Sequence, residues 1–180
     1  SHQSGEVTAW FGKIPAQVAV RYIIPYAAMY PANGDLTLID GIRGGNNFRT
    51  GDWQGFQEEG PDVVIDLGRI MHLDSLSAGF LQDAGSWIWM PSEVRFLLSE
   101  DGRSFREAGR VLTDVPEREY GGITREMGCR FAARKARYIR LQATGLGHCP
   151  AWHPGYPYGG KAWVFIDELS WRERPEPSIR

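Results

Sequence analysis

Between residues 60 and 172 the apolar residues recur with a period of two, and no helical stripe persists for three turns. Val63-Val64-Ile65-Asp66-Leu67 runs up to Gly68, and Leu73 to Leu81 places Leu76, Ala78 and Phe80 on one face. Val94, Phe96 and Leu98 alternate with Glu93, Arg95 and Leu97 before the Asp101-Gly102 turn pair. Segments Phe105–Leu112, Ile123–Phe131 and Arg137–Ala143 follow, with Tyr138-Ile139-Arg140-Leu141 alternating. A period of two is that of a strand, whose side chains point to opposite faces in turn. The last segment, Ala162–Trp171, is apolar on both sides: Trp163, Phe165, Leu169 and Trp171 on one, Val164 and Ile166 on the other. Such a strand is covered on both faces. Ala16–Tyr30 has room for one more strand, and Pro25 and Pro31 break any long element there. Short strands separated by turn signals predict an all-β sandwich.

A chain of 180 residues is long enough for one domain with its own core. That domain is expected over 1–172, with 173–180, which contains Pro175 and Pro177, as a C-terminal tail or linker. Net charge is −2 and no basic run is longer than a pair, which argues against nucleic acid or an anionic membrane surface as partner. No segment approaches the ~20 apolar residues that membrane insertion needs. The first residues lack an apolar signal core, so a secretion signal is expected to have been removed or to belong to a longer precursor. Seven Trp and seven Tyr are more than a core of this size can cover, so some should be exposed for binding. Cys129 and Cys149 are expected as free thiols. His148, Cys149 and His153 lie close in sequence but have no second ligand pair, which argues against zinc.

Leu38–Phe56, LIDGIRGGNNFRTGDWQGF, gathers Asp40, Asp52, Asn46, Asn47 and Thr50 among glycines and ends in Trp53 and Phe56. Hard cations take carboxylate, amide, hydroxyl and carbonyl oxygens, and glycine lets a chain curl around one. A polar surface loop whose aspartates make Asx-turns has the same composition.

Nucleophile motifs are absent: there is no G-x-S-x-G, and Cys149 beside His148 has no orienting partner in sequence. The glycine clusters are not followed by helix patterns, which excludes phosphate cradles. Asp167-Glu168 is an adjacent acidic pair, but neighbours on a strand are expected to point apart, so no catalytic residue is assigned. A binding surface remains. Sugars offer an apolar C–H face and a ring of hydroxyls, which aromatic platforms and planar polar groups match. Three loops hold that mixture: Trp53-Gln54; Gln82-Asp83 with Trp87 and Trp89; and His148–Tyr158 with Trp152, His153, Tyr156 and Tyr158. Trp89, before Met90-Pro91, reads as core, and Trp53 reads equally as core or platform. Trp87, Trp152 and Tyr156, among Gly, Pro and Ser, are expected to be exposed.

LLSEDGRSF (Leu97–Phe105), ARYIRLQATG (Ala136–Gly145) and FIDELSW (Phe165–Trp171) resemble the discoidin, or coagulation factor 5/8 type C, domain, a fold that includes the family 32 carbohydrate-binding modules. DGIRGGNNFRTGDWQGF, FLQDAGSWIWMPSEVRF (Phe80–Phe96) and AWHPGYPYGGKAWVFIDE (Ala151–Glu168) resemble more closely the C-terminal module of bacterial family 20 β-N-acetylhexosaminidases, over about residues 18–172. The resemblance implies an eight-stranded, galactose-binding-domain-like jelly roll with a structural calcium and a glycan surface formed by loops. It places Asp40 and Glu168 as calcium carboxylates and Thr50, loosely, as the loop hydroxyl, with Asp52 and Asn47 as rivals and the carbonyls of Leu38 and Arg43 completing the shell. The competing reading of Glu168 is a strand carboxylate paired with an arginine. The function implied is a non-catalytic carbohydrate-binding module of a secreted, periplasmic or cell-surface glycoside hydrolase, with an N-acetylhexosamine- or galactose-containing glycan as partner. The alternative is a structural module that packs on the parent catalytic domain. The hexosaminidases' own catalytic Asp-Glu pair belongs to a (β/α)8 barrel of about 250 residues, for which this chain has neither the length nor the pattern.

Overall fold

The computed structural model describes residues 17–175. Seven strands form one continuous antiparallel sheet: β1 (Ala19–Tyr22), β2 (Gln54–Gln57), β3 (Asp62–Gln82), β4 (Glu93–Ser99), β5 (Arg106–Leu112), β6 (Ile123–Thr144) and β7 (Trp163–Glu173). The only helical elements among the described residues are four short 3-10 turns. None is long and apolar enough to cross a membrane.

Four segments that the sequence presents as separate strands are two long ones. The Gly68 signal is a bend inside β3: the glycine takes φ +78°, which an L side chain resists, and its N–H donates to Asp66 Oδ1 at 2.8 Å. The β3–β6 register slips between Asp66 and Met71 and again between Leu73 and Ser75. The sheet therefore folds over itself there. The first halves of β3 and second halves of β6 join β1, β4 and β5; the remaining halves join β7 and β2. The described residues contribute seven strands to the sandwich, for which the resemblance implied eight. Its core lies between the two layers, with Val63, Ile65, Phe96, Ile139 and Leu141 from one and Phe56, Leu76, Phe80, Val164 and Ile166 from the other.

Two expectations need correction. Leu169 and Trp171 were placed with Trp163 and Phe165, but they pack into the main core with Val164 and Ile166. The cause is a bulge: Ala78 faces Leu169 while Phe80 faces Ile166, so two residues of β7 oppose Gly79 and the alternation changes phase. The strand also runs further than predicted, through Glu173. Arg172 Nε donates to Asp74 Oδ1 at 2.7 Å and the Arg174 N–H donates to the His72 carbonyl at 2.7 Å. Residues 1–16 of the expected domain and residues 176–180 of the expected tail lie outside the described residues.

Candidate functional site

The same bulge decides the geometry of the acidic pair. Asp167 Oδ2 accepts from the Gly44 N–H at 2.9 Å, and Glu168 Oε2 accepts from the Gly41 N–H at 2.9 Å. Both carboxylates address the 41–44 turn, contrary to the expectation that they point apart, because strand alternation fails where an extra residue is inserted. Gly79 opposite makes room for this: a Cβ there would lie 2.2 Å from Asp167 Oδ1 and 2.8 Å from Arg43 Nη1. Both acids are buried and tied to main-chain amides, so they clamp the 41–44 turn onto β7.

Arg43 spends its guanidinium on Asp167, Glu126 and Ser170. Glu168 makes no ion pair among the described residues. Burial pushes its carboxyl up to about 8, and the negative charge of Asp40 adds to the rise. Burial also raises Asp167, against the Gly44 N–H and Arg43. Asp40 accepts from the Ile42 N–H (2.8 Å) and Asn33 Nδ2 (3.2 Å). Asp40 and Glu168 thus flank Gly41, and the positive charge nearest Glu168 is that of Arg43, which lowers its carboxyl against the rise. Thr50 takes no visible part. Its hydroxyl donates to the Asn47 carbonyl at 3.0 Å within the exposed Phe48–Thr50 turn. Leu38 is fully buried beneath the loop, and Asp52 is partly exposed. Among the described residues no cluster of three His, Cys, Asp or Glu side chains converges as ligands, so any ion here would rest heavily on main-chain oxygens or water.

The aromatic residues divide sharply between scaffold and surface. Trp53 and Gln54 are not on a surface: they are 2% and 0% exposed. Pairing of β2 with β7 carries them inward, where Trp53 packs on Leu81, Ile88 and Phe165 and its Nε1 donates to the Gly45 carbonyl. Gln54 Nε2 donates to the Gly34 carbonyl at 3.0 Å. Gln82 is also buried: its Nε2 donates to the carbonyls of Pro116 and Glu119, and its Oε1 accepts from the Met90 N–H. It pins the 113–122 loop to the sandwich and has no free group for a sugar. Trp89 is buried, as its sequence context indicated, with Nε1 donating to the Glu117 carbonyl at 3.0 Å. His153 lies beneath the surface with both nitrogens used. Nδ1 accepts from the Gly155 N–H, which leaves the proton on Nε2 to donate to the Ala84 carbonyl at 2.8 Å.

Around that scaffold a surface patch forms. Tyr120 is 53% exposed and stacks parallel to His153, with centroids 6.2 Å apart and 11° between the planes. Trp152, half-buried, meets Tyr120 edge-on at 6.0 Å and His153 at 5.4 Å. Its Nε1 donates to Glu117 Oε1, and the Arg118 guanidinium lies 5.0 Å over its ring. Asp83 closes the 84–86 turn by accepting from Ser86 Oγ. A Cβ on Gly85 would lie 3.6 Å from Asp83 Oδ1 and 3.7 Å from Tyr120 Cδ1, so the two side chains border the same glycine. Trp87 is half-buried on Gly155, Gly160 and Cys149. Tyr156 and Tyr158 are 54% and 85% exposed on their own turn. Cys129 and Cys149 are free thiols. Sequence reasoning missed Glu117, Arg118 and Tyr120; the available signal was a lone tyrosine before Gly121-Gly122 in an otherwise polar connection.

No protein-family model and no curated protein matches the sequence. Solved structures do match. The module CpGH89CBM32-5 from Clostridium perfringens, solved with GalNAc-β-1,3-galactose, is 17% identical, with 86% of this chain and 94% of that one covered and a TM-score of 0.53. The CBM32 of AlyQ, solved with 4,5-unsaturated mannuronic acid, is 20% identical over 86% of this chain and 93% of that one, with a TM-score of 0.52. The family 89 glycoside hydrolase of C. perfringens is 16% identical, and the match takes up 93% of this chain but 16% of the enzyme, with a TM-score of 0.55. At such identities the likeness is one of fold: this chain is a discoidin-like β-sandwich of the kind found in family 32 carbohydrate-binding modules.

Proposed function

We propose that the chain is a non-catalytic carbohydrate-binding module of a secreted glycoside hydrolase. The observation that carries this reading is the patch of Tyr120, Trp152, Arg118 and Asp83, held over a fully hydrogen-bonded His153. An aromatic face with polar groups at its rim matches the two chemistries of a sugar ring. Fold relatives solved with GalNAc-β-1,3-galactose and with an unsaturated mannuronic acid support a glycan as ligand. The motifs that resemble those of family 20 hexosaminidases favour a β-N-acetylhexosaminidase-like parent and an N-acetylhexosamine- or galactose-containing glycan. Asp40 and Glu168 would hold a structural calcium, with the carbonyls of Leu38 and Arg43 as further oxygens. The ion would supply positive charge to two buried or half-buried carboxylates and so close the 38–44 loop onto β7.

Titration of the calcium-loaded chain with GalNAc-β-1,3-galactose, N-acetylglucosamine and galactose tests the reading. A single-site sugar is expected to bind with a millimolar Kd, worth about 4 kcal/mol. Tyr120→Ala should weaken binding about tenfold or more while the melting temperature stays within a few degrees, because its ring is largely exposed. Trp152→Ala should weaken binding too, but with a visible loss of stability, since it packs on Trp89 and His153. Unchanged affinity in Tyr120→Ala, or no glycan bound by the wild type, would overturn the assignment.

A further inference from the structure

The end of the sandwich away from this patch carries a different surface. β4 runs from Glu93, beside the loops that build the patch, to Ser99, about 20 Å away at the usual strand rise. Between the Ser99–Ser104 turn and the bend of β6 lies an open cavity of about 610 Å3, bordered by Glu100, Ser104, Arg106, Arg134 and Lys135. All three cations are exposed and none has an ion-pair partner among the described residues. Two carboxylates, Glu100 and Asp101, also line the cavity, so three cations there face two acids. Asp101 Oδ1 accepts from Ser99 Oγ and from the N–H groups of Arg103 and Ser104, all at 2.8–2.9 Å. The Glu107 carboxylate is taken by Arg95 and Arg110. Arg134 donates one N–H to the Glu107 carbonyl at 2.9 Å, has its guanidinium 5.9 Å from the Phe131 ring centroid, and makes no other hydrogen bond among the described residues. Arg103 lies on the same turn and is exposed as well.

We propose that this cavity binds an acidic polysaccharide, a glycan bearing carboxylate or sulfate groups, as a second site independent of the aromatic patch. Guanidinium forks bind planar or tetrahedral oxyanions bidentately, and two arginines with a lysine around one opening supply that chemistry. Ser104 and Glu100 offer a hydroxyl and an acceptor for sugar hydroxyls. No aromatic side chain lines the cavity, so it has no stacking platform for nucleic-acid bases. The attraction is local, because the chain as a whole carries a charge of −2. Two separated sites on one module would raise its residence on a mixed acidic and neutral glycan by avidity.

Affinity electrophoresis of the full chain in gels containing polygalacturonate, heparin or uncharged dextran tests this. Retardation is expected in polygalacturonate or heparin and not in dextran, and it should vanish at high salt. The two polyanions distinguish carboxylate from sulfate as the preferred group. An Arg134→Gln, Lys135→Gln double variant should lose about tenfold in affinity. Tyr120→Ala should be retarded as the wild type is, which separates this site from the aromatic patch. Arg106→Gln serves as a second variant if the double one melts early. The proposal fails if neither polyanion retards the wild type, or if both charge variants are retarded normally. It fails equally if duplex DNA or phosphatidylserine vesicles bind more tightly than the polysaccharides.

Discussion

Trp89→Ala is expected to lower the unfolding free energy by about 3–5 kcal/mol, the cost of removing a large buried aromatic and leaving a cavity behind. The side chain is 1% exposed and packs edge-on against Trp152 at 6.4 Å and His153 at 5.1 Å. Its Nε1–H is also the donor to the Glu117 carbonyl, so the substitution removes a tie on the 113–122 loop as well as core volume. Urea denaturation should show a lower midpoint, and the Tyr120 platform should lose glycan affinity at the same time. Tyr120→Ala should show the second effect without the first. A Trp89→Ala chain with wild-type midpoint would mean that the loop end is held by something other than this cluster.

Stability without divalent cations should fall as pH rises from about 5 to 8. Glu168 has an ordinary value of 4.5 and stands at about 8 in the folded chain. An acid raised in this way is protonated when folded and ionised when unfolded across that window. Its stabilising contribution is complete below the unfolded value and is lost as pH passes through the folded one. The burial of Asp167, which also raises its carboxyl, works in the same direction. The loss from Glu168 alone is on the order of 3 kcal/mol across this window. Glu168→Gln should flatten the trend, because the amide cannot ionise. Asp40→Asn should weaken it by removing a neighbouring negative charge. Calcium at about 100 times its Kd should restore about 2.7 kcal/mol, and more at pH 8 than at pH 5, because it binds the ionised carboxylates. Thermal melts in EDTA and in calcium across this range measure both effects. A flat EDTA profile would overturn the buried-carboxylate account, and melting curves indifferent to calcium at pH 8 would remove the ion.

Strand content, the choice of a sandwich and most of the core were legible in the sequence, because a period of two is a local property and needs no partner to be seen. Val94, Phe96 and Leu98 on one side of β4, and Trp89 inside, follow from their neighbours in the chain. The candidate sites were less legible. Residues that look alike in sequence part company in the fold: Gln54 and Gln82 became internal braces, His153 became a buried support, and Tyr120 became the exposed ring above it. Their roles depend on which loops meet, and that is settled by strand pairings tens of residues apart, such as Gln54 opposite Ile166.

Two further features exist only in three dimensions. The sequence shows Asp167 and Glu168 as neighbours on a strand, and alternation sends them to opposite faces; the bulge opposite Gly79 turns both toward the 41–44 turn. The sequence shows no long basic run, yet Arg106 on β5 meets Arg134 and Lys135 at the bend of β6 around one cavity. Composition and periodicity determined that this chain is a β-sandwich rich in aromatic residues. Register, one bulge and the folding-over of β3 and β6 decided which of those aromatics reach solvent and which charges stand together, because each depends on contacts between segments that local sequence does not join.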